Sequence, residues 1–267
     1  DIEAMAIGSG GRTVLFTAAH HANEWITATV LLKFAEELSR AILEKGQVYG
    51  IPANLFEENC QIFLVPMVDP DGVDLVTGGI AQGSIQWEQA KRLSNNCPSI
   101  PFPNGWKANL LGVDLNLQYP AGWLQAREIK FSQGYTRPGP RDYVGKAPLT
   151  QRESRALADF TSYLDPALIL AYHTQGEQIY WKYDDIDVPG ALALGQEFAR
   201  LSGYSLEETP YASGFAGYKD WFIKVWRRPG FTIEAGLGEN PLPISQFDTI
   251  YAKNLGILTT AALGLPA

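Results

Sequence analysis

The stretch Thr17-Ala-Ala-His-His-Ala-Asn-Glu-Trp25 decides the fold, because it places a histidine and a glutamate three residues apart where an apolar run ends. That run, Arg12-Thr-Val-Leu-Phe-Thr-Ala18, has the composition of a buried strand. Where a strand turns into a helix, His21 and Glu24 fall within about one helical turn and can point the same way. An imidazole and a carboxylate are two of the ligands that a catalytic zinc ion usually takes. The stretch therefore predicts part of a metal site at a strand end.

A further protein ligand has one remote candidate, because the chain contains only three histidines: His20, His21 and His173. His173 follows the apolar run Ala167-Leu-Ile-Leu-Ala-Tyr172, which predicts a second buried strand. Open α/β sheets build their sites at the edge where strands end. We therefore predict that His173 joins His21 and Glu24 as a metal ligand, and that His20 is a structural histidine.

Strand-like and helix-like runs alternate along the chain, which is typical of α/β layers. Helices are predicted over residues 26–39, 150–160 and 190–200 and after Pro243. In the second of these, Thr150 is expected to cap the helix and Glu153 to reach back to it as a capping box. A strand is predicted over residues 61–65.

The start of the chain is predicted to form a β-hairpin, because strand-like runs at residues 2–7 and 12–17 flank the glycine-rich segment Gly8-Ser-Gly-Gly11. Residues 77–107 and 118–147 are rich in Gly, Pro, Asn and Trp and have little periodicity, so we expect long loops there. Long loops in a compact domain are often functional. Both lie next to candidate site residues, so we expect them to shape a substrate cleft.

Composition restricts the class of protein. With 267 residues, 46% of them hydrophobic, the chain can bury one large core, and we expect a single domain over residues 1–267. The net charge of -8 and the pI near 5.0 argue against nucleic acid as a partner. No apolar run reaches the roughly 20 residues of a membrane span. From the start at Asp1, without Met or a signal-like stretch, we expect a trimmed or processed form, and native targeting signals are among the parts we expect to be missing. Cys60 and Cys97 permit one disulfide, although Cys60 also fits a core position.

Five motifs occur in the order found in the zinc metallocarboxypeptidases, and the chain resembles this family over nearly its whole length. They are His21-Ala-Asn-Glu24-Trp25, Val68-Asp-Pro-Asp-Gly-Val73, Gly112-Val-Asp-Leu-Asn116, Tyr172-His173 and Phe231-Thr-Ile-Glu234. The resemblance is strongest to the bacterial branch of γ-D-glutamyl-L-diamino-acid peptidases, which cut peptidoglycan stem peptides. Three segments carry it: Asn116-Leu-Gln-Tyr-Pro-Ala-Gly-Trp123, Pro138-Gly-Pro-Arg-Asp-Tyr143 and Glu234-Ala-Gly-Leu-Gly-Glu-Asn-Pro241. The resemblance implies a three-layer α/β/α sandwich with a mixed, largely parallel sheet and one zinc ion per chain.

The resemblance also implies roles for individual residues. Glu234 matches the family's general base and acid. Asp114 matches the carboxylate that accepts the other N–H of the first ligating histidine, His21, and so fixes its tautomer. Lys107 stands where the family usually has an arginine that stabilises the oxyanion, and lysine keeps the charge but loses the planar fork. The alternative for Lys107 is an ordinary solvated lysine.

The residues that would read the substrate depart from the usual pattern. Asn116 matches an asparagine that helps to hold the substrate's carboxylate, but Leu117 replaces the arginine that reads a C-terminal carboxylate in typical carboxypeptidases. Asn23 likewise replaces a residue that is often arginine. Arg137 and Arg141 are candidates for reading the carboxylates of D-Glu and of the diamino acid, with solvated loop arginines as the alternative. For the mobile tyrosine that covers the substrate, the candidates are Tyr211 and its rival Tyr218.

These features predict a zinc peptidase that hydrolyses the γ-D-glutamyl to diamino-acid bond of peptidoglycan-derived peptides. Three alternatives stay open: an ordinary zinc carboxypeptidase, a zinc N-acyl-amino-acid deacylase of the aspartoacylase kind, and a non-enzymatic cell-wall-binding module with a decayed site. The diamino acid is either meso-diaminopimelate or lysine. We expect a secreted or cell-wall-associated protein with a missing wall-binding domain as an open possibility, and a cytoplasmic recycling role as the alternative.

Overall fold

The computed structural model describes residues 1–265. Its nine strands in these residues are β1 (Met5–Ile7), β2 (Arg12–Thr17), β3 (Gln47–Val48), β4 (Ile51–Pro52), β5 (Cys60–Val65), β6 (Leu168–His173), β7 (Gln178–Tyr180), β8 (Ser205–Glu207) and β9 (Gly230–Glu234). Seven of them form the main sheet in the order β1-β5-β2-β6-β9-β7-β8, and β3 and β4 form a separate antiparallel pair.

The nine α-helices of the same residues are α1 (Ile26–Leu43), α2 (Asn54–Asn59), α3 (Pro70–Thr77), α4 (Ile85–Ser94), α5 (Trp123–Ser132), α6 (Arg152–Leu164), α7 (Ala191–Ser202), α8 (Tyr218–Trp226) and α9 (Phe247–Leu263). Four short 3-10 turns lie at Ala22–Glu24, Leu115–Leu117, Tyr211–Ser213 and Ile244–Gln246. In residues 1–265 no helix combines the length and the apolar character needed to cross a membrane.

The main sheet is mixed and largely parallel, as expected from the sequence. Strand β2 pairs in parallel with β5 and β6, and β6 pairs in parallel with β9. Two pairs of the described sheet are antiparallel, β1 with β5 and β7 with β9, and the edge strand β8 pairs in parallel with β7.

Helices cover both faces of this sheet. Phe16 of β2 contacts Phe34 of α1, with ring centroids 6.4 Å apart. Its neighbour Leu15 points to the opposite face and is paired with Phe63, whose ring contacts Phe160 of α6 at 5.8 Å. Helices α1 and α6 therefore lie on opposite faces, which gives the predicted three layers.

The three central parallel strands determine where the site forms. Strand β2 ends at Thr17, β6 ends at His173 and β9 ends at Glu234. Because parallel strands have their carboxyl ends at the same edge, these residues are brought together there. His173 and Glu234 are direct partners in the β6–β9 register.

The predicted hairpin at the start of the chain is wrong, because β5 lies between β1 and β2. The glycines let this segment lie very close to the backbone at the start of β5, and they do not form a tight turn between two paired strands. A Cβ at Gly10 would collide with the backbone of Asn59, and a Cβ at Gly8 would collide with the carbonyl oxygen of Cys60. The Gly10 N–H donates to that same carbonyl at 3.1 Å. The segment therefore packs against the start of β5 and delivers the chain across it.

The predicted capping box at Thr150 is also wrong. Helix α6 begins at Arg152 after Gln151, which makes no side-chain cap. The Thr150 hydroxyl is 3.0 Å from Oε1 of Gln118, and the Glu153 carboxylate accepts from the Asn109 side chain at 3.1 Å. Thr150 and Glu153 therefore bond to side chains on either side of Asp114 and not to each other's backbone. These hydrogen bonds attach the start of α6 to the loop that carries Asp114.

The two segments expected to be long loops contain regular structure: α4 lies within 77–107 and α5 within 118–147. Helix α4 begins at a capping serine, Ser84, whose hydroxyl accepts from the N–H of Trp87 at 3.2 Å. Both cysteines are free, so no disulfide forms between them in the described structure. The buried Cys60 thiol donates to the carbonyl oxygen of Phe56 at 3.1 Å, which fits its reading as a core residue.

The segment Val68-Asp-Pro-Asp-Gly-Val73 supports the metal loop from behind. Asp69 caps α3 by accepting from the N–H of Gly72 at 3.1 Å, and proline at the first helical position is suited to a helix start. A Cβ at Gly72 would collide with the Asp69 carboxylate and lie 2.9 Å from the Cβ of Ala22. Ala22 follows His21, so only glycine lets α3 pack this close to the metal loop.

We expect Gly72→Ala to lower the free energy of unfolding by about 1–3 kcal/mol, because the added methyl group overpacks the contact with Ala22. Chemical denaturation with urea measures it. Gly11→Ala is the matched control, because a Cβ there meets no atom within 4 Å. Equal stability of the two variants would mean that α3 can move away from the metal loop at little cost.

Candidate active site

His21, Glu24 and His173 converge at the carboxyl edge of the sheet. His21 lies four residues after the end of β2 at Thr17, and its carbonyl oxygen accepts from the N–H of Glu24 at 3.1 Å in the short 3-10 turn. This turn directs both side chains toward His173. Nδ1 of His21 lies 3.0 Å from one carboxylate oxygen of Glu24, and Nδ1 of His173 lies 2.9 Å from the other. One ligand atom from each residue lies within 4.8 Å of the other two, so the predicted trio is assembled.

The donor set fits a divalent cation. The two Nδ1 atoms face each other at 3.1 Å, and the buried Oε1 of Glu24 receives no well-directed hydrogen bond within residues 1–265, although charged groups lie close to it. Burial alone lowers the pKa of His21, but the carboxylates of Glu24 and Asp114 outweigh burial and raise it to about 9. The site therefore attracts positive charge. Two imidazoles and one carboxylate are a ligand set that catalytic zinc sites use.

Asp114 orients the first of these histidines. Its Oδ1 lies 3.1 Å from Nε2 of His21, which leaves Nδ1 of that ring free to face Glu24. The same carboxylate accepts from the N–H of Asn116 at 3.1 Å and from the N–H of Asp142 at 3.3 Å. Burial raises the pKa of Asp114, but the His21 charge and hydrogen bond dominate and hold it well below its usual range. The carboxylate is thus ionised and fixed by two loops.

Asn116 joins the metal site to helix α8. Its Oδ1 accepts from the N–H of Tyr218 at 2.9 Å, and its Nδ2 lies 3.5 Å from Nε2 of His173. The first residue of α8 is therefore one side chain away from a metal ligand. Leu117 follows on the same turn and is 8% exposed, packed with an apolar cluster of Trp123, Ala126, Val144 and Ala216.

Glu234 and Lys107 lie beside the trio. Glu234 is the last residue of β9 and is partly exposed. Burial and the negative charge of Glu24 raise the pKa of Glu234 to about 8. The Lys107 ammonium lies 3.2 Å from Oε1 of Glu24, and the Lys107 carbonyl oxygen accepts from the N–H of Ala22 at 3.1 Å. A titratable carboxyl group and a fixed cation thus face the same edge.

Two cavities meet at this edge. The first, about 230 Å³, contains His21, His173 and Leu117 in its wall. The second, about 440 Å³, contains Asn23, which is buried, and Asn240. Four residues line both cavities: Lys107, Arg141, Tyr180 and Glu234. A chain substrate that occupied both cavities would therefore cross the edge beside Glu234 and Lys107.

The wall of the first cavity carries four basic residues and four carboxylates, the latter being Asp114, Asp142, Asp220 and Glu234. Its basic residues are Lys107, Lys130, Arg141 and Lys219. Sequence reasoning missed Lys130, because it lies on α5 in a segment expected to be a loop. It also missed Lys219 together with its neighbour Asp220. A lysine and an aspartate side by side at the start of an amphipathic helix were the available signal.

The remaining predicted site residues are divided between the cavity and the surface. Arg141 lines both cavities, whereas Arg137 lies outside them with an exposed side chain. Tyr211 is 75% exposed and its ring packs on Phe215 at 5.1 Å, on the outer side of the first cavity's rim. Tyr218 is buried and its hydroxyl lies 2.7 Å from Oγ1 of Thr161, so this rival is a core residue and not a mobile cover.

His20 lies behind the metal ligands in the core. Its ring stacks on His173 with centroids 5.5 Å apart, and its Nε2 lies 3.2 Å from the hydroxyl of Tyr119. Burial lowers the pKa of His20 well below its usual value, so the ring is neutral. It therefore supports the position of His173.

A mixed α/β sheet with a His–Glu–His set and a glutamate at the ends of neighbouring parallel strands defines the class of zinc peptidases. The sequence profile of the family described as zinc carboxypeptidase matches residues 2–255. The chain therefore belongs to the zinc carboxypeptidase family. The family's metal is zinc, and His21, Glu24 and His173 form the group that could hold it.

One relative in sequence and two solved structures show what this chain is similar to. The chain is 43% identical over 256 residues to gamma-D-glutamyl-L-diamino acid endopeptidase 1 of Lysinibacillus sphaericus, covering 96% of this chain and 62% of that protein. It therefore spans about six-tenths of the relative's length. Among solved structures, bovine thrombin-activatable fibrinolysis inhibitor in complex with tick carboxypeptidase inhibitor has a TM-score of 0.71 at 16% identity, covering 98% of this chain and 84% of that one. Murein-tripeptide amidase MpaA of Escherichia coli O157 has a TM-score of 0.55 at 18% identity, covering 96% and 82%.

We expect Asp114→Asn to weaken zinc binding about 10- to 100-fold with the fold intact, because the amide no longer presents a charged acceptor to Nε2 of His21. Competition between the protein and a chromogenic chelator measures the zinc affinity directly, without an activity assay. Asp187→Asn, which changes an exposed carboxylate, is the control. An unchanged affinity would remove Asp114 from the support of the metal.

Proposed function

We propose that this chain hydrolyses the bond between the γ-carboxyl group of D-glutamate and a diamino acid in peptidoglycan-derived peptides. The observation that carries the proposal is the position of positive charge in the first cavity. Leu117 is apolar and buried, whereas four basic side chains stand elsewhere on the same wall, alongside the carboxylates Asp114, Asp142, Asp220 and Glu234. The relative with 43% identity is named for cleavage of this bond, which supports the same substrate class.

An ordinary C-terminal carboxylate has no guanidinium to bind at position 117. A bidentate arginine is the usual way to read a planar carboxylate, and the apolar cluster around Leu117 offers no substitute at that point. An unpaired carboxylate buried there would cost on the order of several kcal/mol. Simple peptides with one terminal carboxylate are therefore expected to bind poorly.

Arg141 is available to read a carboxylate elsewhere in the substrate. Its Nε donates to Asp142 at 2.5 Å, and Asp142 also pairs with the Lys130 ammonium at 2.6 Å. One carboxylate therefore fixes two cations. The terminal nitrogens of Arg141 have no partner in residues 1–265, and the side chain is 41% exposed between the two cavities. This arrangement suits the free α-carboxylate that a γ-linked D-glutamate leaves next to the scissile bond.

Hydrolysis of an amide bond at the carboxyl edge of the sheet requires a base, an acid and a cation. When bound by His21, Glu24 and His173, zinc would polarise the scissile carbonyl group and lower the pKa of a water molecule. Glu234 takes a proton from the attacking water and later gives it to the departing amine, for which a pKa raised to about 8 is suitable. Lys107 provides positive charge where the carbonyl oxygen becomes negative.

We further propose that the protein acts at the cell wall after secretion, because that is where intact peptidoglycan peptides are found. A fractionation experiment with antibody detection tests this part separately. Recovery of the protein only from the cytoplasm would instead favour a role in recycling.

The substrate proposal is tested by incubating the zinc-loaded protein with a panel of muropeptides and of plain peptides that end in an ordinary L-amino acid. Mass spectrometry identifies the bond that is cut. We expect cleavage between D-glutamate and the diamino acid, with little release of ordinary C-terminal residues. Equally fast release of such residues would make the chain a plain carboxypeptidase, and cleavage of N-acyl amino acids alone would make it a deacylase.

Glu234→Gln is expected to lower the turnover number by about 10²–10⁴, because the amide can neither accept nor return the proton. Zinc content and thermal unfolding should stay near those of the parent. Steady-state kinetics on the preferred muropeptide measures the effect, and Glu207→Gln, at an exposed position, is the control. A turnover within a few-fold of the parent would assign the base to another residue.

A further inference from the structure

Three charged side chains at the wall of the first cavity form a row whose charges do not balance. The carboxylate of Asp142 lies between two cations, with Oδ1 2.6 Å from the Lys130 ammonium and Oδ2 2.5 Å from Nε of Arg141. The nearby Asp114 carboxylate is already bound to His21. One carboxylate shared by two cations leaves one positive charge in the row without a counter-ion. A partly buried charge of this kind is costly until an anion meets it.

Arg141 is the member of this row that still has donors to offer. Its Nε–H donates to Asp142, and neither of its terminal nitrogens has a hydrogen-bond partner in residues 1–265. Its side chain is 41% exposed, whereas Lys130 and Asp142 are buried. The two terminal nitrogens of a guanidinium group present a pair of N–H bonds that match the two oxygens of one carboxylate. The free edge of Arg141 is therefore a bidentate site for a carboxylate.

The backbone on both sides of Arg141 is attached to the segment that carries the catalytic groups. The N–H of Asp142, which has a left-handed φ of 62°, donates to Oδ2 of Asp114 at 3.3 Å. The carbonyl oxygen of Pro140 accepts from the N–H of Lys107 at 2.7 Å. Arg141 is thus held beside Lys107 by its two neighbours in the chain.

This position suits the acyl side of the scissile bond under the proposed function. Arg141 lines both cavities, as do Lys107 and Glu234, whereas Lys130 lines the first cavity and not the second. A γ-linked glutamate carries its α-carboxyl group only a few carbon–carbon bonds from the scissile carbonyl group. The main chain of an ordinary peptide has no carboxylate there.

We propose that Arg141 makes the enzyme specific for γ-linked glutamate whose α-carboxyl group is an ionised carboxylate, and that a peptide with a carboxamide at this position is a poor substrate. With the carboxylate bound, Lys130, Asp142, Arg141 and the ligand form a row of alternating charges. This inference rests on the proposed function and deepens it, because it names the chemical state of the substrate that the site accepts.

A carboxamide fails at this site for two reasons. It is neutral, so the excess positive charge of the row stays without a counter-ion. Its NH₂ group is a donor, so one of the two N–H bonds of Arg141 faces another donor and has no acceptor. The loss of a hydrogen bond between charged groups corresponds to about a 10- to 100-fold loss in binding.

The inference also relates this enzyme to two classes of reaction. An amidotransfer that converts the α-carboxylate into a carboxamide withdraws the peptide from the enzyme. Hydrolysis of that carboxamide by water, which releases ammonia and restores the carboxylate, supplies the substrate again.

The test compares two L-alanyl-γ-D-glutamyl-diamino-acid peptides that differ only in the α-carboxyl group of the glutamate, a carboxylate in one and a carboxamide in the other. We expect the parent enzyme to prefer the carboxylate by about 10- to 100-fold in kcat/KM. Arg141→Met should abolish this preference, and Arg141→Lys should keep part of it, because lysine retains the charge and loses the planar fork. Arg137→Met, at an exposed arginine outside both cavities, is the control and should keep the full preference.

The ratio of the two rates on one variant does not depend on the fraction of that variant that is folded. Product inhibition of the parent enzyme gives a second measurement without any variant. L-Alanyl-D-glutamate should inhibit more strongly than L-alanyl-D-isoglutamine, which differs only by its α-carboxamide.

Three results would overturn the role of Arg141 while leaving the proposed function standing. They are equal cleavage of the two peptides by the parent enzyme, equal inhibition by the two products, and a preference that survives in Arg141→Met. Cleavage of neither peptide by the zinc-loaded parent would overturn the proposed function itself.

Discussion

The rest of the active site depends on one shared carboxylate. Glu24 places one oxygen 3.0 Å from His21 and the other 2.9 Å from His173, two residues that are 152 positions apart in the chain. This contact exists only because β2 and β6 are adjacent and parallel, so that their carboxyl ends coincide. A shift in the pairing of these strands would separate the histidines. The pairing of β2 with β6 therefore also fixes the positions of the metal ligands.

The side chains around the trio are held by loops more than by the sheet. The Asp114 carboxylate accepts from the backbone N–H of Asp142, which ties two loops together. Asn116, in the 3-10 turn Leu115–Leu117, accepts from the first residue of α8 and so ties that turn to the helix. On the opposite side, the close contact of Gly72 with Ala22 keeps α3 against the metal loop. A divalent ion between two imidazoles therefore meets a ring orientation that is already fixed. That preorganisation lowers the cost of assembling the site when the metal binds.

The sequence predicted the parts of this structure that depend on strand ends. The apolar runs before His21, His173 and Glu234 indicated strands, and parallel strands bring such residues to one edge. It did not predict that β5 lies between β1 and β2, because strand neighbours far apart in sequence leave no local signal. Helix α5 was missed for a related reason: it is held by packing around Trp123 more than by a strong amphipathic pattern, so Lys130 was missed with it.

Under the proposed function, specificity depends on where the first cavity places its charged side chains. A single arginine beside Asn116 would favour any peptide with a free carboxyl terminus. Here Leu117 removes that charge, and the cations stand further along the wall, each held by a carboxylate that lowers the cost of burying it. A ligand gains binding energy only if its charges match several such pairs at once. Under the proposed function, substrates with widely spaced charged groups meet this condition, whereas a peptide with one terminal carboxylate leaves most of these pairs without a partner.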